Sequence, residues 1–182
     1  MRTIILLTAV GLTLAGCDMF NAPAGGGREQ PGGADAPASS NAGAFAYSGS
    51  EDISGYYRPS GMTGADDFEL IQVFVGQAHD FEAWNKGERS ATFAPVMMEF
   101  SVLGGQTLRV LPERYTVSDG RVSMQGTAPD VGEVSFDARL DKGALATARR
   151  NLGGSEDAAM TGTVRVGGQS FSGVKFSWYG GD

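Results

Sequence analysis

Few side chains in this sequence could do covalent or acid–base chemistry, and they do not fall into a working set. His79 is the only histidine and Cys17 the only cysteine. A Ser-His-Asp triad could recruit Asp80 to orient the His79 ring, but no G-x-S-x-G selects one serine from the others. A zinc site needs more His and Cys than this chain offers. Carboxylates occur as local groups: Glu51-Asp52, Asp66-Asp67-Glu69, Asp80-Glu82 and Glu156-Asp157. Hard cations take such oxygens, yet none of the groups follows an EF-hand ligand spacing, and calcium in the acidic loops stays an open alternative. A glycosidase pair would need carboxylates on opposite walls of one cleft. The reading is therefore solvated acids and helix caps, with no catalytic residue, no metal and no cofactor expected. Aromatic residues offer a different chemistry, that of contact. Tyr56, Tyr57, Phe81 and Trp84 sit where the strand pattern is weak, and could line a ligand mouth or partner patch. Packing into the core is the competing use, and Trp178-Tyr179 poses the same choice.

Two motifs resemble known families. Ser172-Gly-Val-Lys175 has the S-x-x-K spacing of penicillin-recognising enzymes, but in those the pair opens a helix, and here it lies in a strand pattern. Leu14-Ala15-Gly16-Cys17 resembles the lipobox of bacterial lipoproteins, with Leu at −3, small residues at −2 and −1, and the thiol that takes the diacylglyceryl group. Arg2 and the apolar run 4–14 before it have the form of a secretory signal, too short for a comfortable membrane span. The resemblance implies a signal peptide over residues 1–16, cleavage before Cys17 and acyl chains, palmitate among them, that anchor the mature protein in a membrane. Asp18 resembles the residue that retains enteric lipoproteins in the inner membrane, so the expected place is the inner membrane facing the periplasm. The outer membrane or cell surface is the alternative.

These features need elements to position them. In residues 18–44, 16 of 27 are Gly, Ala or Pro, a composition unable to bury enough surface to offset its ordering entropy. With the lipidated Cys17 it reads as a flexible linker, 17–44, spanning about 30 Å on average. Residues 45–182 have the size of one domain. They hold 12 Lys/Arg (the 14 less Arg2 and Arg28) against 18 Asp/Glu (the 21 less Asp18, Glu29 and Asp35), and no basic stripe that would suit nucleic acid.

Period-2 alternation dominates that domain: Val96, Met98, Phe100 and Val102; Leu108 and Val110; Tyr115 and Val117; Val134, Phe136, Ala138 and Leu140. The run 68–75 is apolar on both faces apart from Glu69 and Gln72, which predicts a more buried strand. Asp119-Gly120 predicts a type I′ hairpin that pairs Val117 with Val122 and Tyr115 with Met124. In that geometry Gly120→Val would cost about 1–3 kcal/mol. Gly167-Gly168 predicts Val164 opposite Phe171, a three-residue loop at 103–105 sets Phe100 opposite Leu108, and Gly173 marks a bulge. Asp141 as N-cap, with Leu145, Ala148 and Leu152 as the apolar stripe, predicts one short helix near 141–152 that Gly153-Gly154 ends. A second helical turn fits 78–84. The expectation is an all-β fold: an antiparallel meander of about nine strands forming a barrel, half-barrel or sandwich. Its expected role is a membrane-anchored, non-enzymatic module of the cell envelope that binds a protein partner. A carrier holding an apolar ligand among Phe100, Phe136, Phe176 and Trp178, and a hydrolase with a dispersed site, are the alternatives.

Overall fold

A computed structural model describes residues 44–65, 68–129, 131–152 and 157–181. Cys17, Asp18, the linker up to residue 43, Asp66, Asp67, Glu156 and the Gly153-Gly154 helix stop lie outside them. The chain runs β1 (Phe45–Tyr47), β2 (Gly55–Pro59), β3 (Gly64–Ala65), β4 (Phe68–Val75), α1 (Ala78–Asn85), β5 (Val96–Val102), β6 (Gln106–Val110), β7 (Arg114–Ser118) and β8 (Arg121–Ala128). It continues through β9 (Gly132–Leu140), α2 (Lys142–Arg150), β10 (Ala158–Val166) and β11 (Gln169–Tyr179). All strands join one sheet in the order β1-β7-β8-β9-β10-β11-β2-β4-β5-β6, with β3 paired to β4, and the sheet curls into a half-barrel.

The fold is all-β, as the alternation implies, but it is not one meander. Two arcs of sequential hairpins, β7 to β11 and β4 to β6, are joined by β2, which pairs with β4 and with the last strand, Trp178 opposite Tyr57. β1 lies parallel to β7, so the sheet is mixed. Eleven strands replace about nine because β1 and β3 are too short to show alternation, and the turn at 78–84 is a full second helix.

Turn chemistry explains the registers. Ser118 pairs with Arg121, Val117 with Val122 and Tyr115 with Met124. Phe100 faces Leu108 and Val164 faces Phe171. Gly162 pairs with Val174 and Thr163 with Ser172, leaving Gly173 as the extra residue of a bulge. The turn type at Asp119-Gly120 is a correction. Neither residue has a positive φ, whereas Gly167 and Gly168 do, at 55° and 87°. Type I′ needs both, so that geometry belongs to the second hairpin only. A Cβ on Gly120 would meet nothing within 4 Å, and Gly120→Val should cost under about 0.5 kcal/mol, as ordinary surface changes do.

The edge strand β6 passes directly into β7, next to the opposite edge strand β1. After β6 the chain turns through Leu111 and Pro112 to Glu113, whose N–H donates to the Gln125 carbonyl at 2.8 Å. A Cβ on Gly126 would stand 2.5 Å from the Leu111 carbonyl oxygen, so the crossing lies against β8 at a distance only glycine allows.

Apolar side chains fill the inner face. Phe68 stacks on Phe100 with centroids 4.3 Å apart, and Phe136 meets Phe176 edge to face at 5.2 Å. Phe100, Phe136 and Phe176 are all buried. β4 is buried on one face rather than two, since Ile71 and Phe74 point outward. β5, by contrast, is buried on both: Gln72 Nε2 and Arg109 Nε (2.6 Å) donate to the Glu99 carboxylate and cover it. In α2, Asp141 Oδ1 accepts from the Ala144 N–H at 2.9 Å, and Leu145 and Ala148 are buried. Leu152 is not the third member of their stripe. The helix ends at Arg150, and Leu152 lies beyond it with φ 52° and an exposed side chain.

Candidate functional site

Where β4 hands over to α1, the helix and a second segment meet around two clefts. Asp80 Oδ2 accepts from the Gln77 N–H at 2.8 Å and holds the first turn of α1. From that turn, α1 lays Phe81 on Tyr47 (stacked, 4.2 Å) and against Tyr115 (5.5 Å), and Trp84 against Phe45 (6.0 Å). Arg89 caps this cluster, 4.1 Å from the Trp84 ring and 4.6 Å from Phe45. Trp84 Nε1 and Tyr115 OH are buried there without a hydrogen-bond partner, and burial pushes the Tyr115 phenol up to about 12.

The second segment, 48–54, has no regular structure, and four side chains strap it down. Tyr57 OH donates to the Ile53 carbonyl at 2.6 Å, and burial drives its pKa upward. Trp178 Nε1 donates to the Ser54 carbonyl at 2.9 Å. Arg149, at the end of α2, donates to the Asp52 carbonyl at 2.7 Å and to its carboxylate. Burial opposes ionisation of Asp52, but Ser54 and Arg149 outweigh it and hold its pKa below the usual value. Asp119, in the β7–β8 turn, accepts from Ser50 Oγ and N (both 2.6 Å) and from Glu51 N (2.8 Å).

Those bonds, the Ser50 hydroxyl first, bring Asp119 down to about 2 from an ordinary 3.8. A depressed carboxylate adds stability that is complete above its unfolded pKa and is lost as pH falls through the folded one. The stability gap between the parent protein and Asp119→Ala should therefore hold from pH 7 to about 5 and shrink between about pH 4 and 2. Urea titrations at each pH would show it, and a gap undiminished at pH 2 would mean that the carboxylate does not clamp this segment.

One cleft, of about 510 Å³, lies between segment 48–53 and α1 and includes Glu51, Gln77 and Glu82. The other, of about 550 Å³, includes Tyr56, Phe74, Phe93, Arg149 and Trp178. Asp52, Gly76, Gln77 and His79 border both. His79 is 73% exposed, with Nε2 3.4 Å from Asp80 Oδ1. Among the described residues no hydroxyl bonds to it, and no three His, Cys, Asp or Glu side chains form a metal-binding group. Glu51 is taken up by Lys142 at 2.9 Å.

Beside the second cleft runs a row of aromatic rings on the outer face: Tyr179 to Tyr56 (6.3 Å), Tyr56 to Phe74 (5.2 Å) and Phe74 to Phe93 (5.6 Å). They point outward because Trp178, Tyr57, Val73 and Val75 take the inner positions of the same strands. Compared with known proteins, the chain matches no family model, no curated protein and no solved structure. The site must be read from its own geometry.

Of the four aromatic residues expected at a mouth or patch, the structure uses three as core. Tyr57, Phe81 and Trp84 are 0%, 0% and 6% exposed. Tyr57 belongs to the inner face of β2, while Phe81 and Trp84 belong to the α1 cluster. Only Tyr56 reaches the outer row. Its partners Phe74 and Phe93 were not singled out by sequence pattern, because Phe74 lies in an apolar run that mimics a strand buried on both faces. Phe93 lies in the irregular segment between α1 and β5, which gives it no periodic neighbour.

Proposed function

We propose that this chain is a lipid-anchored protein of the bacterial envelope. Its β domain serves as a non-enzymatic binding module for a protein partner, which docks on the aromatic row and the adjoining cleft. The observation that carries this reading is the row itself: four rings from three strands and a loop, aligned on the outer face, with Phe93 37% exposed. Aromatic rings give large contact area at small conformational cost and dominate binding energy at interfaces. The polar groups along the cleft support the same reading, because Asp52, Asp80 and Arg149 are engaged in holding the domain together. A carrier would need room among Phe100, Phe136, Phe176 and Trp178; all four are buried, Phe136 packs on Phe176 and Phe68 on Phe100, and these contacts favour a filled interior.

Two experiments test the proposal. Replacing Cys17 with Ser should leave an uncleaved, unacylated precursor on cell fractionation; processing and acylation at the same site despite the change would refute the anchor. A photo-reactive side chain at position 93 in the anchored protein should crosslink one partner in intact cells. One at position 116, on β7 near the other end of the strand order, should not, and Tyr56→Ser with Phe74→Ser should abolish the product. Equal crosslinking from both positions would argue against the aromatic row as the docking face.

A further inference from the structure

On the far side of the sheet, the outward residues of β7 to β10 form rows set by the strand registers. One row reads Arg114, Gln125, Ser135, Arg165. These four line a groove of about 230 Å³ with Ala44 at its edge, where the chain enters the domain. The arginines are exposed, and among the described residues neither has an ion-pair or hydrogen-bond partner. Asp137 is the one carboxylate in the lining, and Arg121 already binds it at 2.5 Å. The groove is therefore a spot of uncompensated positive charge on a domain whose overall charge is negative.

We infer that this groove binds a phosphate group. Arg114 and Arg165 stand three strands apart, about 14 Å at the backbone, and flank a floor that offers the Gln125 amide and the Ser135 hydroxyl. Two arginines that border one groove, on either side of neutral donors, suit a phosphate with several oxygens to satisfy. A carboxylate already saturated by Arg121 adds little repulsion. Such a phosphate has two sources, a free phosphorylated compound or the headgroup of an anionic phospholipid beneath a tethered domain. The site is independent of the aromatic row and of the partner proposed there.

The test uses the mature chain, residues 17–182, with Cys17→Ser so that no acyl anchor contributes. Inorganic phosphate is titrated by calorimetry at low ionic strength, where surface charge is least screened. Saturable binding is expected, weakened about tenfold or more by Arg114→Gln with Arg165→Gln, and only partly by the paired change to Lys. Arg150→Gln, elsewhere on the surface, should leave it unchanged. Sedimentation with phosphatidylglycerol or phosphatidylcholine vesicles separates the sources. Co-sedimentation with the anionic vesicles alone, lost in the double Gln variant, assigns the headgroup; phosphate binding without vesicle binding assigns a free compound. Failure to bind either probe, or binding indifferent to both arginines, overturns the inference.

Discussion

Phe136→Ala should remove about 3–5 kcal/mol of stability, the usual effect of emptying a large buried aromatic site. Phe136 is 1% exposed, lies opposite Met124 and Val164 on its two neighbouring strands, and packs edge to face on Phe176. Against a typical total of about 5–15 kcal/mol, that is roughly a fifth or more of the domain's stability. Phe136→Leu, which keeps most of the volume, should cost clearly less. Urea denaturation of the mature chain would measure both. The result also bears on function. A Phe136→Ala cost below about 1 kcal/mol would mean an interior with slack, and would favour the carrier over the binding module.

Gly126→Val should be as damaging for a different reason. A Cβ there would stand 2.5 Å from the Leu111 carbonyl oxygen and 3.0 Å from Val110 Cγ1. Backbone cannot retreat as a flexible side chain can, so either the β6–β7 crossing moves or β8 does. Overpacking costs about 1–3 kcal/mol, occasionally more; contact with backbone puts Gly126→Val at the upper end, and Gly126→Ala should already show much of it. Chemical denaturation of Gly126→Ala reads the effect; an unchanged midpoint would mean that the crossing does not lie against β8.

Much of this fold was legible because period-2 alternation and turn residues carry their information locally. Val117 opposite Val122, Phe100 opposite Leu108 and the bulge at Gly173 all follow from residues within a dozen positions of one another. What lay hidden depends on distant pairs. Nothing near Tyr57 announces Trp178 as its neighbour, and nothing in Phe45-Ala46-Tyr47 announces a parallel strand on β7. The turn at Asp119 shows the same limit on a small scale. Its register was local and readable, whereas the groups that engage its carboxylate, on Ser50 and Glu51, come from 69 and 68 positions away. The outer aromatic row was half visible for this reason too, since Tyr56 and Tyr179 become neighbours only through the pairing of β2 with β11.

That pairing also dictates an order of events during synthesis. The arcs β4 to β6 and β7 to β11 can each form from nearby sequence, but the strand that joins them, β2, waits for β11. Tyr57 meets Trp178 across 121 positions of sequence (178 less 57), and such long loop closures are slow. Until β11 is complete, β2 has one edge unpaired and the inner face of the sheet stands open along that seam. Tyr56 and Tyr179 come together at the same moment. The docking face proposed for the domain therefore does not exist on a nascent chain that stops before β11, and a partner that recognises it would encounter only chains in which β11 has been made.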